Sequence, residues 1–341
     1  MTKLITSEKN VQYLSGFSGS VGILLLQGEK TTLFVDGRYT EQAKNEVKKG
    51  IRIVEAPLGG SLFDAAISFV KKDGPGTLGY EDDKLSAYDF LKLQRALSLT
   101  KLYSISSEIR QQRSIKSHSE IELIRKAALI ADLSFDCVVR IIRAGLTEKD
   151  VSAHIDYLMK TFKADYPAFE TLVSSGVLSA YPHGKPSDKI LKDRDVIVMD
   201  FGARYKGYNS DITRMACIGE PSKKHQKIYD HVRAAQESAI AAVKEGAPAS
   251  TVDAAARKVL KKAGMEKYFK HGTGHGIGLA VHEGPRVSFG SKDILKAGMV
   301  ITIEPGVYIP GFGGFRVEDM VLVKKGGHEV LTRSPKDLAV L

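Results

Sequence analysis

The sequence of 341 residues contains no tryptophan and two cysteines, Cys137 and Cys217. Two cysteines cannot form the disulfide framework of a small secreted protein, so we expect a reducing, cytoplasmic environment. Long apolar runs are also missing. The longest, Gly22–Leu26 and Val196–Met199, are far too short to span a bilayer, so we expect no membrane partner. The N-terminus carries charged residues and no apolar signal core, which argues against secretion.

Acidic residues are outnumbered by basic ones, and the net charge is +10. Such an excess raises the hypothesis of a nucleic-acid partner. The basic residues, however, occur as pairs such as Lys223-Lys224 and Lys261-Lys262, spread along predicted helices and turns beside acidic residues. The sequence shows no basic run interleaved with aromatic residues and no nucleic-acid-binding motif. We therefore interpret the charge as favouring solubility and expect no nucleic-acid partner.

The length is sufficient for two domains, each with its own core. Residues 1–112 alternate strand-like and helix-like segments, which predicts a small α/β domain with a mixed or mostly parallel sheet. A polar stretch, Ser106–Ser119, follows. In it Ser117 and Glu120 have the spacing of a capping box, which marks the start of a helix. Residues 117–341 then combine helices with strand-rich segments, so we predict an α+β domain there.

Two aspartates stand at the ends of predicted strands. Residues 195–202 (DVIVMDFG) indicate a buried strand that ends at Asp200, and residues 210–217 (SDITRMAC) indicate a second strand that begins at Asp211. A hairpin would bring the two carboxylates side by side. For either aspartate alone, a hydrogen bond in a turn is the more common role. The pair becomes informative only together with the residues that follow it.

His275 lies in the glycine-rich segment of residues 270–283 (KHGTGHGIGLAVHE). Glycine at this density costs conformational entropy, and we expect it where the backbone passes close to a ligand or a metal. Glu304 comes at the end of a predicted strand in residues 300–308 (VITIEPGVY), on the same face as Thr302. Residues 315–323 (FRVEDMVLV) predict another strand, and its apolar neighbours indicate that Glu318 is buried and needs a partner.

These four carboxylates and one imidazole carry four negative charges. Burying them uncompensated would be prohibitive, so the set predicts two divalent cations. Two such ions can generate hydroxide from water at neutral pH and hold a substrate oxygen while it is attacked. Carboxylate ligands favour hard ions, so we expect manganese, while the single histidine leaves cobalt, zinc and iron open.

The segments DFG, SDITR, HGTGHGIGLAVHE, IEPGVY and FRVED together closely resemble the pita-bread metallopeptidases. Within these the chain is similar to the aminopeptidase P and prolidase branch, which cleaves Xaa-Pro bonds. The segments YLSGFSGS (residues 13–20) and FVDGRY (residues 34–39) match the smaller, creatinase-like N-terminal domain of that branch. The helix that often precedes its first strand is expected to be absent. The resemblance covers nearly the whole chain and implies a homodimer acting on proline-containing peptides.

The resemblance also implies roles for individual residues. The ligands of a dinuclear site would be Asp200, Asp211, His275, Glu304 and Glu318, with Asp211 and Glu318 bridging both ions. Glu304 would act as the general base, and His183 and His282 would position the scissile carbonyl and stabilise its developing charge. The residues around the pocket for the substrate proline would be His271, Tyr308 and Arg316.

Three alternatives are open within this resemblance. The enzyme can be an Xaa-Pro aminopeptidase, which the two N-terminal segments favour, or a strict Xaa-Pro dipeptidase. A creatinase-like amidinohydrolase of the same fold works without metal and has lost ligands. Non-catalytic pita-bread binding modules also tend to lose them. All five ligands are present here, so we expect a metallopeptidase.

Overall fold

In the computed structural model, which describes residues 1–341, the chain folds into two units, Met1–Arg113 and Ser114–Leu341. The first unit has a six-stranded sheet in the order β4-β3-β2-β1-β5-β6 with both parallel and antiparallel pairs, so the predicted mixed α/β domain is confirmed. Its elements are β1 (Thr2–Ile5), α1 (Glu8–Ser15), β2 (Ile23–Gln27), β3 (Lys30–Val35), α2 (Thr40–Glu46), β4 (Ile51–Glu55), α3 (Leu62–Asp73), β5 (Thr77–Tyr80), α4 (Ala87–Ala96), β6 (Lys101–Ser104) and α5 (Ser106–Ser114).

Both faces of this sheet are covered, which explains the continuous apolar run in β2. Leu25 belongs to a core cluster on one face, and its neighbour Leu24 belongs to a cluster on the other. The polar stretch Ser106–Ser119 is not an irregular linker, because most of it forms helix α5. Ile109 is the one apolar residue of that helix, so the sequence contains no apolar periodicity that would predict it.

The second unit begins after this helix with the predicted capping box, which is confirmed at Ser117 and Glu120. None of the helices in the chain combines the length and apolar character needed to cross a bilayer. The helices of this unit are α6 (His118–Val138), α7 (Glu148–Thr161), α8 (Lys223–Ala241), α9 (Ala249–Lys262) and two short 3-10 turns, Gly176–Ala180 and Glu266–Tyr268. The strands are β7 (Tyr166–Pro167), β8 (Leu172–Ser175), β9 (Val196–Phe201), β10 (Ala203–Tyr205), β11 (Tyr208–Asn209), β12 (Ile212–Cys217), β13 (Gly274–Gly276), β14 (Glu283–Val287), β15 (Val300–Ile303), β16 (Gly306–Ile309), β17 (Gly313–Arg316), β18 (Asp319–Lys324), β19 (Gly327–Val330) and β20 (Ala339–Val340).

Two larger sheets, β20-β12-β9-β8 and β14-β13-β15-β18-β19, form the centre of this unit. Alternate residues of β9 face different helices. Val196 and Val198 join the core that contains α8 and α9, whereas Ile197 and Met199 join the core that contains α6 and α7. Because side chains alternate along a strand, Asp200 falls on the same face as Val196 and Val198.

The predicted strand at residues 315–323 is divided. Its first part, β17, pairs with β16, and its second part, β18, pairs with β15, so the chain changes sheets between Arg316 and Asp319. Two of the dense glycines allow neighbouring strands to approach closely. A Cβ on Gly274 would lie 1.9 Å from the Thr302 carbonyl oxygen, and one on Gly276 would lie 2.0 Å from that of Gly284.

Candidate metal centre

Two aspartates come from the four-stranded sheet. Asp200 lies on β9, where its register partner on β12 is Thr213. Asp211 stands two residues before Thr213, so its side chain leaves the backbone on the same face of the sheet. The hairpin predicted from the sequence therefore forms, and it brings both carboxylates to one face.

Three more of the predicted ligands come from the five-stranded sheet. His275 lies on β13, Glu304 follows β15, and Glu318 precedes β18. The hydroxyl of Thr302 joins two of them, because it accepts a hydrogen bond from the His275 backbone N–H (3.1 Å) and donates one to Glu304 Oε1 (3.3 Å). The predicted common face of Thr302 and Glu304 is thus confirmed.

Glu318 connects the two sheets. Its backbone N–H donates to the Thr213 carbonyl (3.2 Å), and its carboxylate Oε2 accepts from the Thr213 hydroxyl (2.8 Å). Thr302 was placed beside Glu304 from the sequence, but neither its hydrogen bonds nor the role of Thr213 was predicted. The signal that would have identified them is strand alternation, which puts each on the face of a ligand residue.

The ligand atoms of Asp211, His275 and Glu318 all lie within 4.8 Å of one another. His275 Nε2 is also 3.3 Å from Glu304 Oε1 and 3.7 Å from Asp211 Oδ2. Asp200 acts on the same space through its charge, which follows burial and Glu318 among the causes that raise the pKa of Asp211. The structure therefore brings Asp211, His275, Glu304 and Glu318 together, and Asp200 is near enough for its charge to act on Asp211.

His275 is oriented as a metal ligand. Its Nδ1 is 3.1 Å from the Gly276 carbonyl oxygen, so we place the ring proton on that nitrogen, where it donates to the carbonyl. The lone pair of Nε2 then points toward the carboxylates. Burial is the main cause that lowers the pKa of His275 to about 4, so the ring is neutral at pH 7. Neutral imidazole is the form that binds metals.

The carboxyl groups resist ionisation when no cation accompanies them. Burial and then the charge of Glu318 raise the pKa of Asp211 well above its ordinary value, and burial and then Glu304 do the same for Glu318. Burial also raises the pKa of Glu304 to about 8. Two buried carboxylate oxygens, Asp200 Oδ1 and Glu318 Oε1, have no hydrogen-bond partner, which is rare for buried polar atoms. These residues fit a centre for divalent metal ions.

Arg316 is the cation nearest to these carboxylates. Its guanidinium is only 4% exposed and donates from Nη2 to Asp200 Oδ2 (2.6 Å) and from Nε to the Thr213 hydroxyl (3.0 Å). Its Nη1 donates to the Tyr308 hydroxyl (2.6 Å) and to the Pro182 carbonyl (3.0 Å). Because the guanidinium is occupied by groups of the chain itself, its position fixes Asp200 and Tyr308.

Three histidines lie around the centre. The His271 Nε2 is 3.0 Å from the Tyr308 hydroxyl, and burial followed by the charge of Arg316 lowers the pKa of His271 to about 4. The ring of His282 stands 4.4 Å from that of His275, centroid to centroid. His183 directly follows Pro182, and its charge contributes to the lowered pKa of both His271 and His282, after burial. His183 and His282 are exposed, so they are open to a substrate.

Residues 122–325 match the profile of metallopeptidase family M24, and residues 2–115 match that of the creatinase/prolidase N-terminal domain. The chain belongs to metallopeptidase family M24. The pita-bread fold with a creatinase-like N-terminal domain, expected from the sequence, is confirmed. The protein is thus a metallopeptidase, and the family implies divalent metal cofactors.

Similar proteins cover nearly all of this M24 chain. An Xaa-Pro dipeptidase of Pyrococcus horikoshii is 40% identical over 98% of the chain and 93% of its own length. The structure of an Xaa-Pro dipeptidase from Bacillus anthracis matches with a TM-score of 0.95 and 38% identity, covering 100% of this chain and 95% of that one. An X-Pro aminopeptidase from Thermotoga maritima matches with a TM-score of 0.93 and 38% identity, covering 100% and 97%.

The raised carboxyl pKa values predict how the stability of the metal-free protein depends on pH. Glu304 keeps its proton to about pH 8 when folded but loses it near 4.5 when unfolded. The contribution of Glu304 to the free energy of unfolding is therefore fully present below pH 4.5 and is lost as the pH rises through 8. The pKa values of His271 and His275 are lowered from 6.5 to about 4. These two groups therefore make stability increase with pH, but only below pH 6.5. We expect the thermal unfolding midpoint to fall between pH 6.5 and 8.

Thermal scans with a chelator, compared with scans at saturating manganese, measure this effect. Metal ions bind the ionised carboxylates, so the fall should disappear when they are present. Glu304→Gln removes a titrating group and should flatten the metal-free curve. A midpoint that rises with pH over this range without metal would contradict the assignment.

Proposed function

We propose that this metallopeptidase hydrolyses the peptide bond that precedes proline, with two divalent ions held by Asp200, Asp211, His275, Glu304 and Glu318. The observation that carries the proposal is the cluster of Asp211, His275 and Glu318, with Glu304 3.3 Å from His275 and two exposed histidines, His183 and His282, beside it. The similar proteins named for Xaa-Pro peptidase activity support it. A complete set of ligands argues against a creatinase-like enzyme without metal and against a binding module.

An Xaa-Pro bond needs a distinct mode of recognition, because its nitrogen carries no hydrogen and cannot donate to the enzyme. Selectivity must then come from the shape of the proline ring. The rings of His271 and Tyr308 lie 5.5 Å apart beside the carboxylates, and we propose that they form one wall of the proline pocket. Arg316 serves this pocket by holding the Tyr308 hydroxyl in place.

When bound, the metal ions supply a nucleophilic water at neutral pH and polarise the scissile carbonyl. Glu304 takes the proton of that water and delivers it to the proline nitrogen as the bond breaks. Its position at the end of β15, oriented by the Thr302 hydroxyl, suits this transfer. His183 and His282 donate hydrogen bonds to the carbonyl oxygen, where negative charge develops.

We propose dipeptides as the preferred substrates. The N-terminal segments that favoured an aminopeptidase do not discriminate, because proteins named for either activity match over at least 98% of the chain. Arg286, exposed on β14, is the direct cross-strand partner of His275, so the two side chains leave the sheet on one face. A cation there would bind the free carboxylate of a substrate that ends in proline.

Three further properties are proposed from the sequence and its resemblance. Manganese suits a centre with four carboxylates and one imidazole. The unpaired state of Cys137 and Cys217 is compatible with the cytoplasm. A homodimer is proposed from the resemblance to the aminopeptidase P and prolidase branch.

The role of Glu304 predicts the effect of Glu304→Gln. The amide keeps an oxygen for metal but cannot accept and return a proton, so turnover should fall by about 10²- to 10⁴-fold. The affinity and stoichiometry of metal binding, measured by isothermal titration calorimetry, should change little. Glu266→Gln, at an exposed site, is the control for substitution itself. Turnover equal to that of the unchanged protein would remove Glu304 from this role.

The proposed dipeptide preference predicts that Ala-Pro is cleaved with a higher kcat/KM than Ala-Pro-Ala. A charge-assisted hydrogen bond is worth about 1.5–3 kcal/mol, so we expect a preference of roughly tenfold or more. Arg286→Ala should remove most of it without reducing metal content. Both peptides are compared after adding back manganese, cobalt, zinc or iron singly, with Ala-Ala as the control. Preference for the tripeptide under every metal identifies an aminopeptidase, and cleavage of Ala-Ala alone rejects proline specificity.

A further inference from the structure

One buried carboxylate of the second unit, that of Glu148, lies outside the metal-binding set. It is 0% exposed. Its Oε1 accepts from the backbone N–H (2.6 Å) and the hydroxyl (2.7 Å) of Ser175, and its Oε2 accepts from the backbone N–H (3.1 Å) and the hydroxyl (2.6 Å) of Ser187. One carboxylate thus holds two points of the chain that are separated by eleven residues.

A helix N-terminus and a nearby cation face this carboxylate. Glu148 is the first residue of α7 after the N-cap Thr147, where the helix dipole stabilises negative charge. The ammonium group of Lys189 donates to the Ser175 hydroxyl (2.7 Å) and pairs with Asp195 (2.5 Å), so a cation stands one hydrogen bond away. A carboxylate has about four acceptor positions, and all are used here.

The enclosed residues, Gly176–Pro186, are called the His183 segment below. Two hydrogen bonds join the middle of this segment to strand β17. The Pro182 carbonyl accepts from Arg316, and the Ser179 hydroxyl accepts from the backbone N–H of Gly314 on β17 (2.8 Å). His183 follows Pro182 within a turn closed by the Gly184 N–H and the Tyr181 carbonyl (3.0 Å). These contacts hold the middle of the segment and Glu148 holds both of its ends, so the two sets together place His183.

We propose that Glu148 is a positioning residue, which fixes both ends of the His183 segment and so keeps His183 in reach of the substrate carbonyl. The inference rests on the role given to His183 under the proposed function. Removing the carboxylate takes the acceptor from two backbone N–H groups, that of buried Ser175 and that of half-buried Ser187, and an unpaired buried N–H is costly. A shift of about 1 Å in a group that contacts the reacting bond can lower the rate about 10²-fold.

A double-mutant cycle tests this inference. Glu148→Gln keeps the volume of the side chain. Its NH₂ group is a donor, however, and cannot accept the hydrogen bonds that the N–H and hydroxyl of one serine donate. We expect kcat for Ala-Pro to fall about tenfold or more, whereas His183→Ala should lower it about 10²-fold. In the His183→Ala background, Glu148→Gln should change kcat less than about twofold, because two residues that act as one unit are not additive. Manganese affinity should stay unchanged throughout.

Glu81 provides a matched control in the first unit. It is also 0% exposed, and it accepts from the backbone N–H and hydroxyl of Thr6, the N–H of Ser7 and the amide of Asn10. Glu81→Gln should lower stability comparably but leave kcat unaffected. Hydrogen exchange adds a measurement that needs no turnover: amides of the His183 segment should exchange faster in Glu148→Gln and at the normal rate in Glu81→Gln.

Equal losses of kcat in both His183 backgrounds, or unchanged exchange in the His183 segment, would overturn the inference. If Glu148→Gln does not fold, Ser187→Ala removes one hydroxyl donor and is held to the same criteria, with a smaller loss. Failure of the proposed function is read separately. It appears as absent Xaa-Pro cleavage by the unchanged protein or as full activity of His183→Ala, and exchange then still decides whether Glu148 holds the segment.

Discussion

The structure of the second unit depends on a group of carboxylates that are buried close to one another. Burial raises the pKa values of Asp211, Glu304 and Glu318. The charge of Glu318 further raises the pKa of Asp211, and the charge of Glu304 further raises that of Glu318. Arg316 is bonded to one carboxylate, that of Asp200, and no lysine or arginine is bonded to the remaining three. Such a site is unfavourable unless metal ions bind, so the same arrangement that costs stability provides the affinity for the cofactor.

Much of the surrounding structure holds these groups against their mutual repulsion. Thr213 bonds to Glu318 through backbone and side chain, and Thr302 bonds to His275 and Glu304. These contacts join a four-stranded and a five-stranded sheet at the ligands themselves. The Arg316 guanidinium then links Asp200 to Tyr308 and to the chain just before His183. The proposed metal ligands and the groups proposed to contact substrate thus share one hydrogen-bonded framework.

The positions of four proposed ligands could be predicted because each lies at or beside a strand end with apolar residues around it, and the hairpin and capping box are likewise local patterns. His275 was found instead from its glycine-rich segment. Other features could not be predicted this way. Helix α5 has a single apolar residue, so it shows no periodicity. The division of residues 315–323 between two sheets depends on pairing with β16 and β15. The bond from Arg316 to Asp200 spans 116 residues, and no local spacing reveals such a contact.

The central claim is that the carboxylates are gathered to hold two cations. The most direct measurement is the number of manganese ions bound per chain, by equilibrium dialysis of metal-free protein with metal quantified on both sides. If this claim is right, two ions bind per chain at saturation, and fewer bind when Asp211 or Glu318 is replaced by its amide. Saturation at one ion or at none, in a folded chain, would contradict it.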